Sequence, residues 1–230
     1  MKKTAVCSAL ALSMATASAA AESTNATSAP TIRTMTQAQA PTELHAGSTA
    51  VLVIDFQNEY YTGRMPIPNG KEALKKAKQV VGFAHQNKMP VYFVRHVGAA
   101  DGPLFAEGSV NAEFHQDLQP LDTDFVINKA TPSSFVGTNL DQQLKEKGIK
   151  TLIITGLMTH MCVSTTARDA VPMGYEVIIA EDATATRDLA NWDGSVVDHI
   201  TLQRAAIAGV ADVFADIKTT QAIVDMPVIR

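Results

Sequence analysis

Ala50-Val51-Leu52-Val53-Ile54 is an unbroken apolar run that closes on Asp55. A strand with one wet face alternates polar and apolar residues, and this one does not. It reads as a strand buried on both faces, as in a parallel sheet covered by helices. Helical spacing follows. Beyond a loop with Pro66, Pro68 and Gly70, Leu74, Ala77, Val81 and Ala84 recur at three and four, while Lys71, Lys75, Lys76 and Lys78 point elsewhere. Pro90 breaks the chain, and Val91-Tyr92-Phe93-Val94 is the next strand. The alternation then repeats: a short strand at Phe125-Val126-Ile127, a helix from Thr138 to Lys147 stopped by Gly148, and a strand at Thr151-Leu152-Ile153-Ile154. A helix from Met161 to Val171 ends near Pro172 and Gly174, and Glu176 to Ala180 is a strand. A helix from Ser195 to Ala208 has Gly209 beyond it, and Val213-Phe214-Ala215 is a last short strand. Regular alternation of this kind predicts a three-layer α/β/α fold, an open parallel sheet with helices on both faces, over residues 49–230.

Composition narrows the function classes. Of 230 residues, 46% are hydrophobic and 18% charged, which fits a folded domain and argues against disorder or fibre. The formal net charge is −4 with no basic stripe, so nucleic acid is not an expected partner. Two cysteines, Cys7 and Cys162, exclude a disulfide-stapled scaffold.

The beginning of the chain reads as an address. Lys2 and Lys3 precede a small apolar segment from Ala5 to Ala15, and cleavage patterns follow at Ala17-Ser18-Ala19 and Ala19-Ala20-Ala21. Residues 1–21 are thus expected to be a bacterial-type signal peptide, with the protein periplasmic or secreted. The apolar run is shorter than the ~20 residues that span a bilayer, so no membrane attachment is expected after cleavage. Removal of 1–21 takes away two basic residues and no acidic one, leaving 17 basic, 23 acidic and Cys162 as the lone thiol. Residues 22–48, rich in Ser, Thr, Ala, Gln and Pro, read as a flexible lead or an arm draped on a neighbour.

In open parallel sheets the ligand crevice lies at the carboxyl ends of the strands. Asp55 follows the first strand, Lys129 follows the strand ending at Ile127, and Cys162 follows the strand ending at Ile154. All three project toward one edge. At a helix start, unpaired amides and the helix dipole favour a thiolate. Asp55 is placed to take the thiol proton and return it to a leaving group, and Lys129 to hold negative charge near the sulfur. Taken singly, each has a plainer reading: a buried small hydrophobe, a loop cap and a solvated lysine.

The motifs around these residues resemble the isochorismatase-like cysteine hydrolases, which include nicotinamidases and N-carbamoyl amide hydrolases. Val51 to Glu59 looks like the family's first motif, with Asp55 as its catalytic Asp. Lys129-Ala130-Thr131-Pro132-Ser133-Ser134-Phe135 looks like its Lys motif, and Gly156 to Val163, followed by Thr166 to Ala170, looks like its nucleophile motif. The resemblance spans residues 49–217. It implies a doubly wound sheet of order 3-2-1-4-5-6, an Asp55–Lys129–Cys162 triad and a covalent acyl-enzyme. It also implies a cis peptide bond between Leu157 and Met158, which turns the Met158 amide toward the Cys162 amide to form an oxyanion hole.

Departures from the family sharpen the reading. Its metal-binding members carry an Asp-x-His pair after the first motif, and Glu59 to Lys71 contains neither residue type. No catalytic metal and no cofactor are therefore expected, and His96 is read as a strand-end residue or a pocket wall. Isochorismate-cleaving members lack the nucleophilic Cys that this chain keeps, which favours an amide-like substrate. An isochorismatase-type hydrolase, a thiol redox protein and a catalytically silent small-molecule binder are the alternatives. Gln57, Tyr60, Phe135, His160 and Trp192 are candidate pocket residues; Tyr61 is weighed with them. Arg168 and Asp169 read as a surface or inter-helix pair, and Asp182 as a support for loop backbone. The segment from Ala99 to Asp117 is long for such a sheet and carries Leu104, Phe105, Val110 and Phe114. It is expected to cover the cleft or bury against a second subunit, giving a small substrate and, with the resemblance, a homodimer or homotetramer.

Overall fold

The computed structural model describes Met1 and residues 29–230. Apart from Met1, the signal peptide read from residues 1–21 lies outside the described residues. The main sheet has six parallel strands: β1 (Thr49–Ile54), β2 (Val91–His96), β3 (Phe125–Lys129), β4 (Thr151–Leu157), β5 (Glu176–Ala185) and β6 (Asp216–Lys218). Their spatial order is β3-β2-β1-β4-β5-β6, the doubly wound order expected from the resemblance.

The sheet separates two cores, and β1 feeds both. Val51 and Val53 face one layer, which includes Leu74, Ala77, Val81 and Ala84 of helix α1 (Gly70–Gln86). Ala50, Leu52 and Ile54 face the other, which holds α2 (Leu140–Glu146), α3 (Ser164–Ala170) and α4 (His199–Ala211). All six β1 residues are buried, which is why the run lacks polar alternation. A short helix, α5 (Thr220–Val224), packs beside α1, and Asp182 accepts from both the backbone N–H and the hydroxyl of Thr220 at 2.7 Å.

Two expectations need correction. The helix read from Ser195 begins at His199, because Asp198 Oδ1 caps it, accepting from Ile200 N and Thr201 N at 3.0 Å. Val196–Val197 instead pairs antiparallel with Leu189–Ala190, and Gly209 lies inside the helix. The last strand is Asp216–Lys218 rather than Val213 to Ala215, since the amides of Phe214 and Ala215 both return to the Val210 carbonyl and close the end of α4. The segment read as a flexible lead or an arm draped on a neighbour has local structure within its described part. Ile32–Met35 is one helical turn, with Arg33 on Asp216 at 2.7 Å, and Leu44–His45 pairs in parallel with Val228–Ile229.

Two strands need special backbone where the site begins. Asp55 leaves β1 with φ +55°. On β4, Gly156 has φ +153° at the point where the register with β5 shifts, and a Cβ there would sit 2.6 Å from Ile54 Cβ and 2.7 Å from Ile54 O. Only glycine fits so close to the backbone that presents Asp55. Gly156→Ala is expected to lower the unfolding free energy in urea by about 1–3 kcal/mol, as overpacking does. It should also depress turnover, because Ile54 directly precedes Asp55; wild-type stability in the variant would show that the strands can part at no cost.

Candidate active site

β1 and β3 are separated by β2, so their ends lie about 9–10 Å apart. Lys129, the last residue of β3, is long enough to cross that gap. Its Nζ lies 2.7 Å from Asp55 Oδ2, with both side chains at 0% exposure. The same ammonium donates to Cys162 Sγ at 3.3 Å and to the Thr131 carbonyl at 3.2 Å. The structure thus brings together the three residues singled out at the strand ends. Asp55 is held by its own backbone, donating to the Val94 carbonyl and accepting from Gln57 N, both at 2.8 Å.

Cys162 sits in a π-helical turn, Thr159–Val163, that runs into α3. Single π-turns recur at functional sites. The peptide bond between Leu157 and Met158, just before this turn, is cis. Contacts tie the nucleophile helix to the segment after β3. Thr166 Oγ1 accepts from Ser134 N and donates to Ser134 Oγ, and Ser133 Oγ donates to Asp169. Asp169 therefore serves the site's frame rather than pairing with Arg168, which donates to the Gly209 carbonyl on α4 and stacks over Phe214.

The electrostatics differ from a free helix start. Burial pushes the Cys162 thiol far above its ordinary value and the Asp55 carboxylate adds to this, outweighing the opposing Lys129 charge. This direction runs against the dipole-stabilised thiolate expected from the sequence. Burial disfavours the Lys129 charge, but Asp55 and Cys162 more than offset it, so the lysine pKa rises. His96 pairs in register with Lys129 and places Nδ1 3.3 Å from its Nζ. Because an ammonium only donates, Nδ1 accepts and the imidazole proton sits on Nε2. Burial and the Lys129 charge lower the His96 pKa against the pull of Asp55, which keeps the ring neutral at neutral pH.

The candidate pocket residues divide. Tyr60 is buried beside the triad; burial, then Asp55 and Cys162, push its phenol well above the usual value. His160 Nδ1 lies 2.6 Å from Thr186 Oγ1, and burial followed by the Arg187 charge lowers its pKa. Phe135 is buried and stacks on Tyr175 within the core cluster that includes Cys162. Gln57 is fully buried with its amide spent on backbone: Nε2 donates to the carbonyls of His96 and Ala112, and Oε1 accepts from His96 N. It is a bolt between β2 and the Ala99–Asp117 loop, not a side chain free to meet a substrate. Trp192 is 94% exposed at the tip of the 189–197 hairpin, so it does not wall an enclosed cleft within this subunit. Tyr61 stacks on His115 at 4.4 Å.

The long loop folds on its own domain. Phe105 and Phe114 are buried, whereas Val110 is exposed. Phe105 packs edge-on to Tyr60 at 5.2 Å and tilted on His96 at 5.1 Å, so the loop closes over the site. It holds φ +50°, an uncommon conformation for a bulky residue, and its amide donates to Glu59 Oε2 at 3.2 Å. Glu59 Oε1 takes Arg64 N at 2.6 Å. Sequence reasoning gave Glu59 no role; a glutamate between the buried Gln57 and Tyr60 was the available signal. Among the described residues, no three His, Cys, Asp or Glu side chains converge to hold a metal. A cavity of about 650 Å³ opens at the opposite edge of the sheet, beside His85, Val91, Asp124 and Lys147, and none of the triad residues lines it.

Comparison with known proteins agrees with this geometry. The isochorismatase domain model matches residues 49–222. YddQ of Bacillus subtilis, an isochorismatase family protein, is 36% identical over 178 residues, covering 76% of this chain and 98% of its own. The secreted isochorismatase effector Isc1 of Verticillium dahliae is 33% identical over 183 residues, covering 80% and 94%. The crystal structure of an isochorismatase from Pseudomonas putida KT2440 superposes with a TM-score of 0.79 at 33% identity, over 84% of this chain and 98% of that one. With the fold, the strand-end triad and these matches in agreement, the chain belongs to the isochorismatase family and is a cysteine hydrolase.

Proposed function

We propose that the protein hydrolyses a small amide-like substrate through a covalent acyl-enzyme. The observation that carries this reading is the contact of one buried ammonium with both Asp55 and Cys162. Asp55 takes the thiol proton as Cys162 Sγ attacks the carbonyl carbon. The carbonyl π pair moves to oxygen, where the amides of Met158 and Cys162 receive it. Collapse expels the amine, protonated by Asp55, and leaves a thioester. Water activated by Asp55 then releases the acid and restores the thiol. Lys129 steadies the carboxylate and the sulfur while charge moves between them.

Retention of the cysteine favours an amide over the vinyl ether of isochorismate, and the loop folded over the site favours a small molecule over a polymer. No metal takes part in this scheme, on the ground that the segment from Glu59 to Lys71 lacks the Asp-x-His pair. Intact mass with a turned-over amide should show an acyl adduct on Cys162, and turnover should survive exhaustive chelation. Asp55→Asn should lose about 10²–10⁴-fold, the usual contribution of a positioned acid–base group. Full turnover by Cys162→Ser without an adduct, or activity restored only by a divalent ion, would overturn the scheme.

The neutral state of His96 sets the acid side. Protonation would put a second cation against Lys129. Because folding lowers the pKa values of His96 and His160, their contribution to stability is present above the unfolded value of about 6.5 and is lost as pH falls through the folded values. Unfolding free energy is expected to decline as pH falls below about 6.5, and kcat at lower pH still, as pH falls through the lowered folded value of His96, with a shallower decline in kcat for His96→Gln. An identical acid limb in that variant would remove His96 from the account.

Export through the leader read at residues 1–21 and assembly as a homodimer or homotetramer are proposed as well. Apolar side chains of Trp192, Val196 and Ile200 stand exposed together in sequence on the hairpin and the start of α4, as at surfaces that meet a partner. No described helix is long and apolar enough to cross a membrane. Mass spectrometry of the secreted protein should place its N-terminus after Ala19 or Ala21, and light scattering should give a multimer; an uncleaved chain or a monomer at micromolar concentration contradicts the respective half.

A further inference from the structure

We propose that a cavity of about 530 Å³ between α1 and the end of the Ala99–Asp117 loop binds the phosphate group of a small molecule through Lys71, Lys75, Lys78 and His115. None of the triad residues lines this cavity, and the proposal does not depend on the amide-hydrolase reading.

The three lysines form one stripe. With 3.6 residues per turn, positions 71, 75 and 78 fall within an arc of about 60° on α1, and all three side chains are exposed. Like charges three and four residues apart on a helix repel each other. Lys71 also stands in the first turn, where the helix dipole disfavours a cation. Neither cost is offset by a nearby acid. Among the described residues, no carboxylate lies within salt-bridge distance of Lys71, Lys75 or Lys78, whereas Lys76, on another face of the helix, is paired with Asp182 at 3.2 Å. The stripe is thus a local surplus of positive charge on a chain whose net charge is −4.

The facing wall is held in place. The His115 amide donates to the Phe56 carbonyl at 2.8 Å, and its ring stacks on Tyr61 at 4.4 Å. Nδ1 accepts from Asp117 N at 3.1 Å, so the neutral ring carries its proton on Nε2 as a donor. Burial lowers the His115 pKa, Asp117 opposes this, and the charges of Lys71 and Lys78 add to the lowering, so both ammoniums are felt at the ring. One carboxylate, Asp117, lines the cavity against three ammoniums, and no arginine does. A guanidinium fork matches a planar carboxylate, whereas ammonium groups act as point charges and suit the tetrahedral oxygens of a phosphate. The volume falls in the range of small-ligand sites and exceeds a bare phosphate. Leu74 and the His115 ring give an organic remainder an apolar wall.

The test is calorimetric titration of inorganic phosphate and of phenyl phosphate into the full chain at about 0.15 M salt, where diffuse surface attraction is screened. At least one of the two should bind. Lys75→Gln combined with Lys78→Gln should weaken that binding about tenfold or more, the scale of charged hydrogen bonds. Lys75→Arg combined with Lys78→Arg keeps the charges and should keep most of the affinity. Lys145→Gln combined with Lys147→Gln, at the end of α2, should leave it unchanged. The His115 imidazole resonances should shift as the site fills. Tighter binding of phenyl phosphate assigns the cavity to a phosphate ester and equal binding to free phosphate; both support the proposal. Absence of binding by either probe, an equal loss in the α2 variant, or unmoved His115 resonances overturns it. So does capture of phosphatidylglycerol vesicles, lost with Lys75 and Lys78, without binding of either phosphate, which would make the stripe a membrane contact. Phenyl phosphate that competes with an amide substrate and binds the Lys75→Gln, Lys78→Gln protein unchanged belongs to the triad's pocket, and this also overturns the proposal. The substituted lysines are exposed, so an unchanged melting temperature is expected in every variant.

Discussion

The buried ion pair between Asp55 and Lys129 is the constraint around which the rest is arranged. Removing two charges from water costs several kcal/mol per ion, and attraction offsets this only at close range with the remaining donors satisfied. The lysine side meets both conditions, while Asp55 Oδ1 is left without a hydrogen-bond partner and so is open to a proton. The pair is 2.7 Å apart at zero exposure, and Lys129 has further acceptors in the Thr131 carbonyl, Cys162 and His96. Because β2 lies between β1 and β3, a short cation would not reach. The strand order therefore selects a lysine-length side chain, and the pair in turn couples the ends of strands that are not neighbours. The third member is added from the opposite side of β1, where β4 delivers Cys162.

Precision at that edge comes from backbone rather than from side-chain packing. Asp55 at φ +55° turns its carboxylate out of the sheet direction at the moment the strand ends. Gly156 allows β4 to approach Ile54 closely enough for the nucleophile turn to face that carboxylate. Gln57 then spends every polar atom of its side chain on the backbones of His96 and Ala112, which fixes the end of β2 and the long loop together. Glu59 does the same for Phe105 and Arg64. Two buried amphiphiles in one short stretch thus convert a loop, ordinarily the mobile part of an α/β domain, into a fixed roof.

Much of this was legible in the sequence, and the limits have physical reasons. The apolar runs at 50–54, 91–94, 151–154 and 176–180 marked strands because both faces of the sheet are covered, and the strand-end placement of Asp55, Lys129 and Cys162 followed from the Cα path alone. The start of α4 was misread because Ser195, Val196 and Val197 are compatible with a helix until the cap is located, and Asp198 takes that role with two amides. The last strand was displaced because Phe214 completes the end of α4 against Arg168 instead of entering the sheet. Trp192 and Gln57 show that residue type does not report orientation: the aromatic stands in water and the amide is sealed in the core. The cis bond at Leu157–Met158 has no local signal and was reached only through the resemblance.

The state of the cysteine also bears on how a thiol nucleophile is kept from side reactions. Oxidation proceeds through thiolates that solvent can reach. Cys162 is 4% exposed, and burial with the adjacent carboxylate raises its pKa, which disfavours the thiolate. Its reactivity is therefore conditional. A substrate carbonyl that enters the pocket supplies an acceptor for the sulfur's electron pair, and the proton moves the short distance to Asp55 while Lys129 remains in contact with both groups. Charge develops where the fixed ammonium already stands, so little reorganisation accompanies the step. A redox thiol has the opposite requirement, a low pKa, an open face and a resolving partner, and among the described residues Cys162 has none of these. The same burial that makes the thiol a poor nucleophile at rest confines its chemistry to molecules small enough to reach it.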